Sequence, residues 1–529
     1  MDNFIDSPTH SVLGIRDFLE RLSPDSPAGE ALAAEPRFFG PAEAEAWRDE
    51  MERLVEAEAF CRAEPSSEEH VRQALAEVPV LERPLRRLQV GEVLGEADLF
   101  TAKRFLYYAG EVVDAALDLL DGWGVPESCP EQVRGLMEAI HPQQRATPRF
   151  HLASELSDEL DELRIELRQK KKRERKLRDG LEEAVVADHG GTFDIHNTYR
   201  PPDSLSKKTL GADARLEQTH AGWKLADEEL AALSAEIEGL ETQVEEVEYD
   251  LRAQLSDRLR DQVDWMANLA ETLAMLDLRL AKVRLRRDLE GCWPDRQKQP
   301  GILIEHGHEP QISRVLAREE VQPVAVEVER EPVVVTGPNM GGKSVLLRLI
   351  GICQWCAQHA MPAPAARCEF SPVEAIIYVG SEEPLAEEVS QGLSSFGREV
   401  GRLVDWWHRG DSPRLWLLDE LGRGTHPDEG AQIAAEVIEK LAARGDRVVA
   451  ATHFPAVASL PGAKKLRIAG LTEPRKLEAL LDGGDTDVQA ALRAVMDYRP
   501  VSVDAHQEHD VPRDARVVAR ALGLEIRSK

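Results

Sequence analysis

A chain of 529 residues, 42% hydrophobic and 30% charged, has the length for a large core and, at ~150 residues per domain, for three or four domains. Its net charge of −31 argues against a protein that simply coats nucleic acid or anionic membrane, although a local basic patch is still allowed. Aromatics at 5% advertise no stacking platform for single strands, and six cysteines are too sparse for a disulfide framework, which points to a reducing compartment.

The N-terminus shows no basic stretch followed by an apolar run, and no run of ~18 apolar residues appears, so a cytoplasmic chain without a membrane helix is expected. Up to about residue 150 the pattern is helical, with Leu19, Leu22, Phe100, Phe105 and Leu106 in patterned segments punctuated by Pro36, Pro65, Pro84, Pro126 and Pro142. Phe38-Phe39-Gly40 suits core packing, and no catalytic constellation is evident there.

From about 152 a long amphipathic helix is expected, with Leu156, Leu160, Leu163 and Leu167 spaced by four, three and four. It runs into RQKKKRERKLR, Arg168 to Arg178, with Glu174 the one opposing charge. A second long helix is expected from about 216, with Leu230, Leu233, Ile237, Leu240, Val244, Val247 and Leu251 in heptad rhythm, continuing through Leu269, Leu273, Leu276, Leu280 and Val283 towards Gly291 and Pro294. His189 to Ser204, with Gly190-Gly191 and Pro201-Pro202, makes the turn of an antiparallel coiled-coil arm. In the basic run, Lys170, Lys171, Lys172 and Arg173 are candidates to grip phosphates and release counterions, against the plainer reading of a solvated helix face. Leu276-Asp277-Leu278-Arg279 is read as packing within that helix.

From about 300 to 470 strands and helices alternate. Strands are expected at 301–305, 324–328, 333–336, 375–379, 415–419, 448–452 and 466–469, which is the rhythm of an α/β nucleotide-binding domain. The expected division is a helical core at 1–150, an arm at 151–290, the α/β domain at 291–470 and a charged helical tail at 471–529 that ends in a small apolar helix, Ala515 to Leu524.

Within the α/β part, Gly337-Pro338-Asn339-Met340-Gly341-Gly342-Lys343-Ser344 fits G-x-x-x-x-G-K-S between an apolar strand and a helix. Glycines there let backbone N–H groups approach phosphate oxygens at a helix N-terminus, Lys343 reaches the β- and γ-phosphates, and the Ser344 hydroxyl suits magnesium. Leu415 to Glu420 is an apolar strand ending in two carboxylates, with Asp419 suited to the magnesium shell and Glu420 to positioning the attacking water. Leu421 to Thr425 suits a subunit contact near the nucleotide. Thr452-His453 ends another apolar strand, from which His453 is placed to sense the γ-phosphate. Gly392 to Glu399 offers Ser394-Ser395 as an N-cap with Glu399 for the first turns, or as hydroxyls for the phosphate of a partner subunit. Cys353 and Cys356 fall on the helix after the phosphate loop and read as buried packing, with no second pair for zinc.

The order of these segments resembles the ATPase domain of the MutS family. Thr336 to Ser344 is similar to its phosphate loop, Met361-Pro362-Ala363 and Ser371-Pro372-Val373 to its next stretch, GLSSFGRE to its signature with Ser395 where threonine is usual, and LLDELGRGT and ATHF to its later motifs. Gly307-His308-Glu309-Pro310 resembles a short upstream motif, with Glu309 as a departure.

The resemblance implies an ABC-type ATPase domain preceded by a helical core and a long lever and clamp arm. It also implies ATP and Mg2+ as cofactors, and a homodimer, or heterodimer with a paralogue, that closes head to tail on two nucleotides and encloses double-stranded or branched DNA. By resemblance Lys343, Ser344, Asp419 and Glu420 keep the roles above, Asn339 lines the phosphates, Ser394 reaches the opposite nucleotide and His453 senses hydrolysis. The departures bear on the client. Phe38-Phe39-Gly40 lacks the glutamate of a mismatch-reading wedge, and the N-terminal stretch is short for that domain, so a mismatch repair-related ATPase without mismatch reading is expected. His426 to Gly430 looks more like the branch that usually ends in a nuclease module, which is not seen here. The alternative is a protein client, as for the MutS-like subunit that reactivates cobalamin-dependent lysine 5,6-aminomutase.

Overall fold

The computed structural model describes residues 4–140, 157–220, 222–316, 320–338, 341–380, 395–410, 413–471 and 495–503. Contacts divide the chain into two compact units, residues 1–68 with 274–529, and residues 69–273. The first 68 residues therefore group with the α/β half rather than with the helices that follow them.

In chain order come α1 (Ser7–Val12), α2 (Ile15–Leu19), α3 (Pro27–Ala34), α4 (Ala44–Ala63), α5 (Pro65–Glu77), α6 (Glu82–Gln89), α7 (Glu96–Asp121), α8 (Cys129–Ile140) and α9 (Asp158–His189). Strands β1 (Thr192–Phe193) and β2 (Tyr199–Arg200), α10 (Lys207–Leu210), β3 (Leu216–Thr219) and β4 (Gly222–Leu225) lead to α11 (Glu228–Arg260) and α12 (Val263–Leu289). Then follow β5 (Asp295–Arg296), β6 (Ile302–Gly307), α13 (Ile312–Val315), β7 (Val324–Val328), β8 (Val333–Thr336), α14 (Lys343–Gln358), β9 (Arg367–Phe370) and β10 (Ile376–Gly380). The described chain ends with α15 (Ser395–Trp407), β11 (Leu415–Asp419), α16 (Pro427–Ala443), β12 (Arg447–Ala451), α17 (Pro455–Ala458), β13 (Lys464–Leu471) and β14 (Met496–Ser502).

In the unit of residues 69–273, α9 and α11 lie along each other. Ser157 caps α9 through Leu160 N, and Asp227 caps α11 through Leu230 N. Leu230, Leu233, Ile237, Leu240 and Val244 form the buried stripe of α11, as their spacing implies. Arg164 pairs with Glu248 and Arg173 with Glu229, so the two helices run antiparallel.

Three features differ here from what the sequence implies. The expected turn is a four-stranded antiparallel sheet, β1-β2-β4-β3, closed over Val185, Tyr199, Leu210, Leu216 and Trp223. Residues 216–225, expected in the second helix, make a hairpin, because Leu216 and Trp223 bury in that small core and Gly222 turns with φ 133°. The helix is also interrupted between Arg260 and Val263, where no proline or glycine marks the break. Leu156, Pro142 and the helix expected at 515–524 lie outside the described residues.

In the other unit a six-stranded sheet has the order β10-β11-β12-β8-β13-β14, parallel except for β14. Strands β8, β10, β11 and β12 are buried on both faces, and alternate residues serve two cores. Val333, Val335, Leu415, Leu417, Val449 and Ala451 pack towards α14, whereas Val334, Trp416, Leu418, Val448 and Ala450 share a core with residues of α15 and α16. A smaller sheet, β5-β9-β6-β7, flanks α14. At the β10 edge, Ile376 N donates to Phe4 O at 2.8 Å and Ile5 bridges Ile376, so the start of the chain covers that edge. Residues 496–502, expected in a helical tail, instead pair antiparallel with β13, whose other edge β8 already holds.

Candidate functional site

The carboxyl ends of parallel strands gather the sequence motifs. In-register pairing sets Asp419 opposite Ala451 and Ala451 opposite Val335, so the segments after β8, β11 and β12 emerge side by side. Thr452 N donates to Val335 O and Glu420 N to Ala451 O, which extends this alignment past the strands. A cavity of about 670 Å3 opens there, with Gly341, Gly342, Lys343, Ser344, Asp419 and Glu420 on its wall.

The turn into α14 demands glycine. Gly342 precedes the helix with φ 90°, and a Cβ there would stand 3.2 Å from Tyr498 Cδ1. At Gly337, φ 151°, a Cβ would meet Ile468 at 2.9 Å. Lys343 is buried and its Nζ donates to Gly337 O and Pro338 O, each at 3.2 Å. Burial pushes its pKa down, while Glu420 and Asp419 pull the other way. Ser344 lines the cavity beside it. Asn339, Met340 and Ser394 lie outside the described residues.

Glu420 is the hub. Its carboxylate accepts a 2.7 Å bond from Arg423 Nη1 and stands 3.7 Å from Lys343 Nζ and 3.9 Å from His453 Nδ1. Its backbone sits at φ 54°, an uncommon conformation for a residue with a side chain, and one that clusters at functional sites. Glu399, expected at the first turns of α15, reaches away from that helix. Its Oε2 accepts from Gly422 N at 2.9 Å, tying that helix to the loop after the carboxylate strand, and burial raises its pKa.

Two tyrosines escaped the sequence reading. Tyr378 on β10 donates from its hydroxyl to Asp419 Oδ2 at 2.6 Å, and Tyr498 on β14 joins the cavity wall against the phosphate loop. A tyrosine inside an apolar strand carries no motif, and β14 itself was missed. Glu309 also lines the cavity, buried, with Oε2 accepting from Ile312 N and Oε1 3.6 Å from Arg348 Nε; burial raises its pKa. Cys353 and Cys356 are buried in α14, with thiol pKa values pushed up by burial.

The basic run of α9 has partners of its own. Lys170 pairs with Glu236, Lys171 with Glu241 at 2.5 Å and Arg173 with Glu229 at 2.5 Å. Three of its charges thus face carboxylates of α11, Arg178 pairs with Glu174 of its own helix, and Lys172 is exposed.

A family model described as MutS domain V matches residues 333–474, which span the phosphate loop, the carboxylate strand and β13. That segment is similar to domain V of MutS proteins. The chain is 29% identical over 279 residues to "Endonuclease MutS2" of Streptococcus pneumoniae (strain Taiwan19F-14), covering 52% of this chain and 34% of that protein. It is 35% identical over 231 residues to "Endonuclease MutS2" of Thermomicrobium roseum, covering 42% of this chain and 28% of that protein. The chain thus spans about a third of the length of the curated relatives it matches. Among the described residues no helix is long and apolar enough to cross a membrane.

Proposed function

We propose that the chain is a P-loop ATPase of the MutS type, hydrolysing ATP with Mg2+ to open and close a dimeric clamp on DNA, without reading mismatches directly. The observation that carries the hydrolysis is Glu420, held among Lys343, Arg423 and His453 at the lip of the phosphate loop. The residues fit the nucleotide. Among the described residues Lys343 Nζ meets two backbone carbonyls and a more distant carboxylate, so phosphate oxygens are better partners for it. Ser344 and Asp419 are the hard oxygen ligands Mg2+ prefers. When bound, Mg2+ neutralises charge on the phosphates. Glu420 then orients the attacking water and His453 reports the γ-phosphate, while Asn339 and Ser394 complete the shell of their own and the partner's nucleotide. The antiparallel α9 and α11 form the coiled-coil lever, with 291–470 the ATPase domain it serves. The test is ATP turnover with and without duplex or branched DNA at two salt concentrations. Stimulation that falls steeply with salt supports the clamp; turnover untouched by any DNA removes it.

A second reading, an ATP-driven remodeller of a protein client such as an aminomutase, draws on one observation. Lys170, Lys171 and Arg173, three of the four residues of the basic run that best suited DNA, are engaged by Glu236, Glu241 and Glu229. Co-purification of a client enzyme whose activity ATP restores decides for it.

A further inference from the structure

A second cavity of about 740 Å3 lies at the other end of α14 and shares no lining residue with the first. Trp355 sits about 18 Å along the helix from Lys343, at 1.5 Å per residue. Phe4, Phe38, Trp355 and His359 contribute rings to its wall, and Glu35 and Glu374 contribute carboxylates. The rings touch one another: Phe4 and Phe38 have centroids 4.2 Å apart, and His359 stacks on Trp355 at 4.2 Å and 22°.

The polarity of this wall is one-sided. His359 Nδ1 lies 2.7 Å from Trp355 O and must carry the proton to bond a carbonyl, which leaves Nε2 as an acceptor. Burial holds that imidazole's pKa at about 3, so it stays neutral; His10, also on the wall, is likewise lowered by burial. Asp6 is already engaged by Arg402 and by Trp406 Nε1. Glu35 and Glu374 are exposed, and among the described residues their carboxylates have no ion pair or hydrogen bond. Among the described residues no Lys or Arg lines the cavity. Ring faces are negative, carboxylates are negative and the free imidazole nitrogen accepts. An anionic ligand finds no cationic side chain among the described lining residues and faces Glu35 and Glu374, whereas a cation on an apolar body gains ring contact and charge neutralisation together.

We propose that this cavity binds an organic cation, an amine or guanidinium carried on an aliphatic or aromatic body. Trp355 and Phe38 take the body, and Glu35 and Glu374 hold the charge at the rim.

The test is calorimetric titration of the full chain with 2-phenylethylamine and with its neutral isostere 2-phenylethanol. The amine is expected to bind at least about tenfold more tightly than the alcohol. The double variant Glu35→Gln/Glu374→Gln changes two exposed side chains and is expected to weaken the amine about fivefold or more, leaving ATP turnover and the melting temperature unchanged. Phe38→Leu, which removes one half-buried ring, is a second check and should weaken it about threefold. Agmatine and N-acetylarginine amide separate the sources: tighter binding of the blocked amino acid assigns the cation to a protein side chain, tighter binding of agmatine to a free amine. Equal binding of amine and alcohol overturns the proposal, as does amine binding indifferent to the double variant or no binding of any cation.

Discussion

The hydroxyl of Tyr378 donates a 2.6 Å hydrogen bond to Oδ2 of Asp419, and the backbone N–H of the same tyrosine donates to Thr9 Oγ1 at 3.0 Å. One residue therefore ties the proposed magnesium carboxylate to α1, and α1 in turn holds α15 through Asp6 and Arg402. A hydrogen bond to a charged group contributes about 1.5–3 kcal/mol, so losing it frees the carboxylate to rotate. Tyr378→Phe is expected to raise the Mg2+ concentration for half-maximal ATP turnover about tenfold, with a small change in melting temperature. Unchanged Mg2+ dependence means that Asp419 needs no such support.

Lys343 and Glu420 separate binding from turnover. Lys343→Ala removes the one cation buried at the loop and is expected to abolish ATP binding, measured with a fluorescent ATP analogue. Glu420→Gln keeps the shape of the side chain but loses the charge that polarises water. ATP affinity should stay within about threefold, while phosphate release falls about 100-fold or more and the closed dimer accumulates. A Gln variant that turns over at the normal rate would falsify the assignment of Glu420.

Much of this site was legible in the sequence because its chemistry is local. Eight consecutive residues spell the candidate phosphate loop, and an apolar strand ending in Asp419-Glu420 needs no partner to be recognised. What stayed hidden depends on distant pairing. Tyr378 meets Asp419 only because β10 and β11 lie in register, which sets Tyr378 opposite Leu417. Tyr498 reaches the loop only because β14 adds to β13, and charged Met496–Ser502 gives no apolar run to announce a strand. The helix period read α11 correctly from Leu230 to Val244 but ran on through the hairpin at 216–225, where Leu216 and Trp223 serve another core. The basic run was read as free because its neutralising glutamates sit more than fifty positions later.

Those glutamates give a further expectation. Lys170, Lys171 and Arg173 make exposed ion pairs, each worth about 0.2–1 kcal/mol, so replacing all three with Ala should cost only about 1–2 kcal/mol of stability. The same triple variant is expected to leave the salt dependence of DNA binding within about one phosphate contact of the parent. Lys207, Lys208 and Lys224, exposed in and beside the small sheet, are the better candidates. Neutralising them should lower the slope of log K against log salt by about two to three. A larger loss from the first triple than from the second returns the contact to α9.

Acid sensitivity should trace to His359. Its ring is buried, its pKa lies at about 3, and unfolding releases it to the ordinary value near 6.5. Between those values the unfolded chain binds a proton that the native chain refuses, so stability rises with pH across that window and is lost as pH falls below 6.5. From pH 7 to pH 5 this one group should remove roughly 2 kcal/mol. His359→Gln keeps a donor for the Trp355 carbonyl but cannot titrate. The variant is expected to be less stable than the parent at pH 7 through lost stacking on Trp355, yet to show a flatter fall in melting temperature between pH 7 and pH 5. Parallel curves for the two proteins mean that other buried groups set the acid limb.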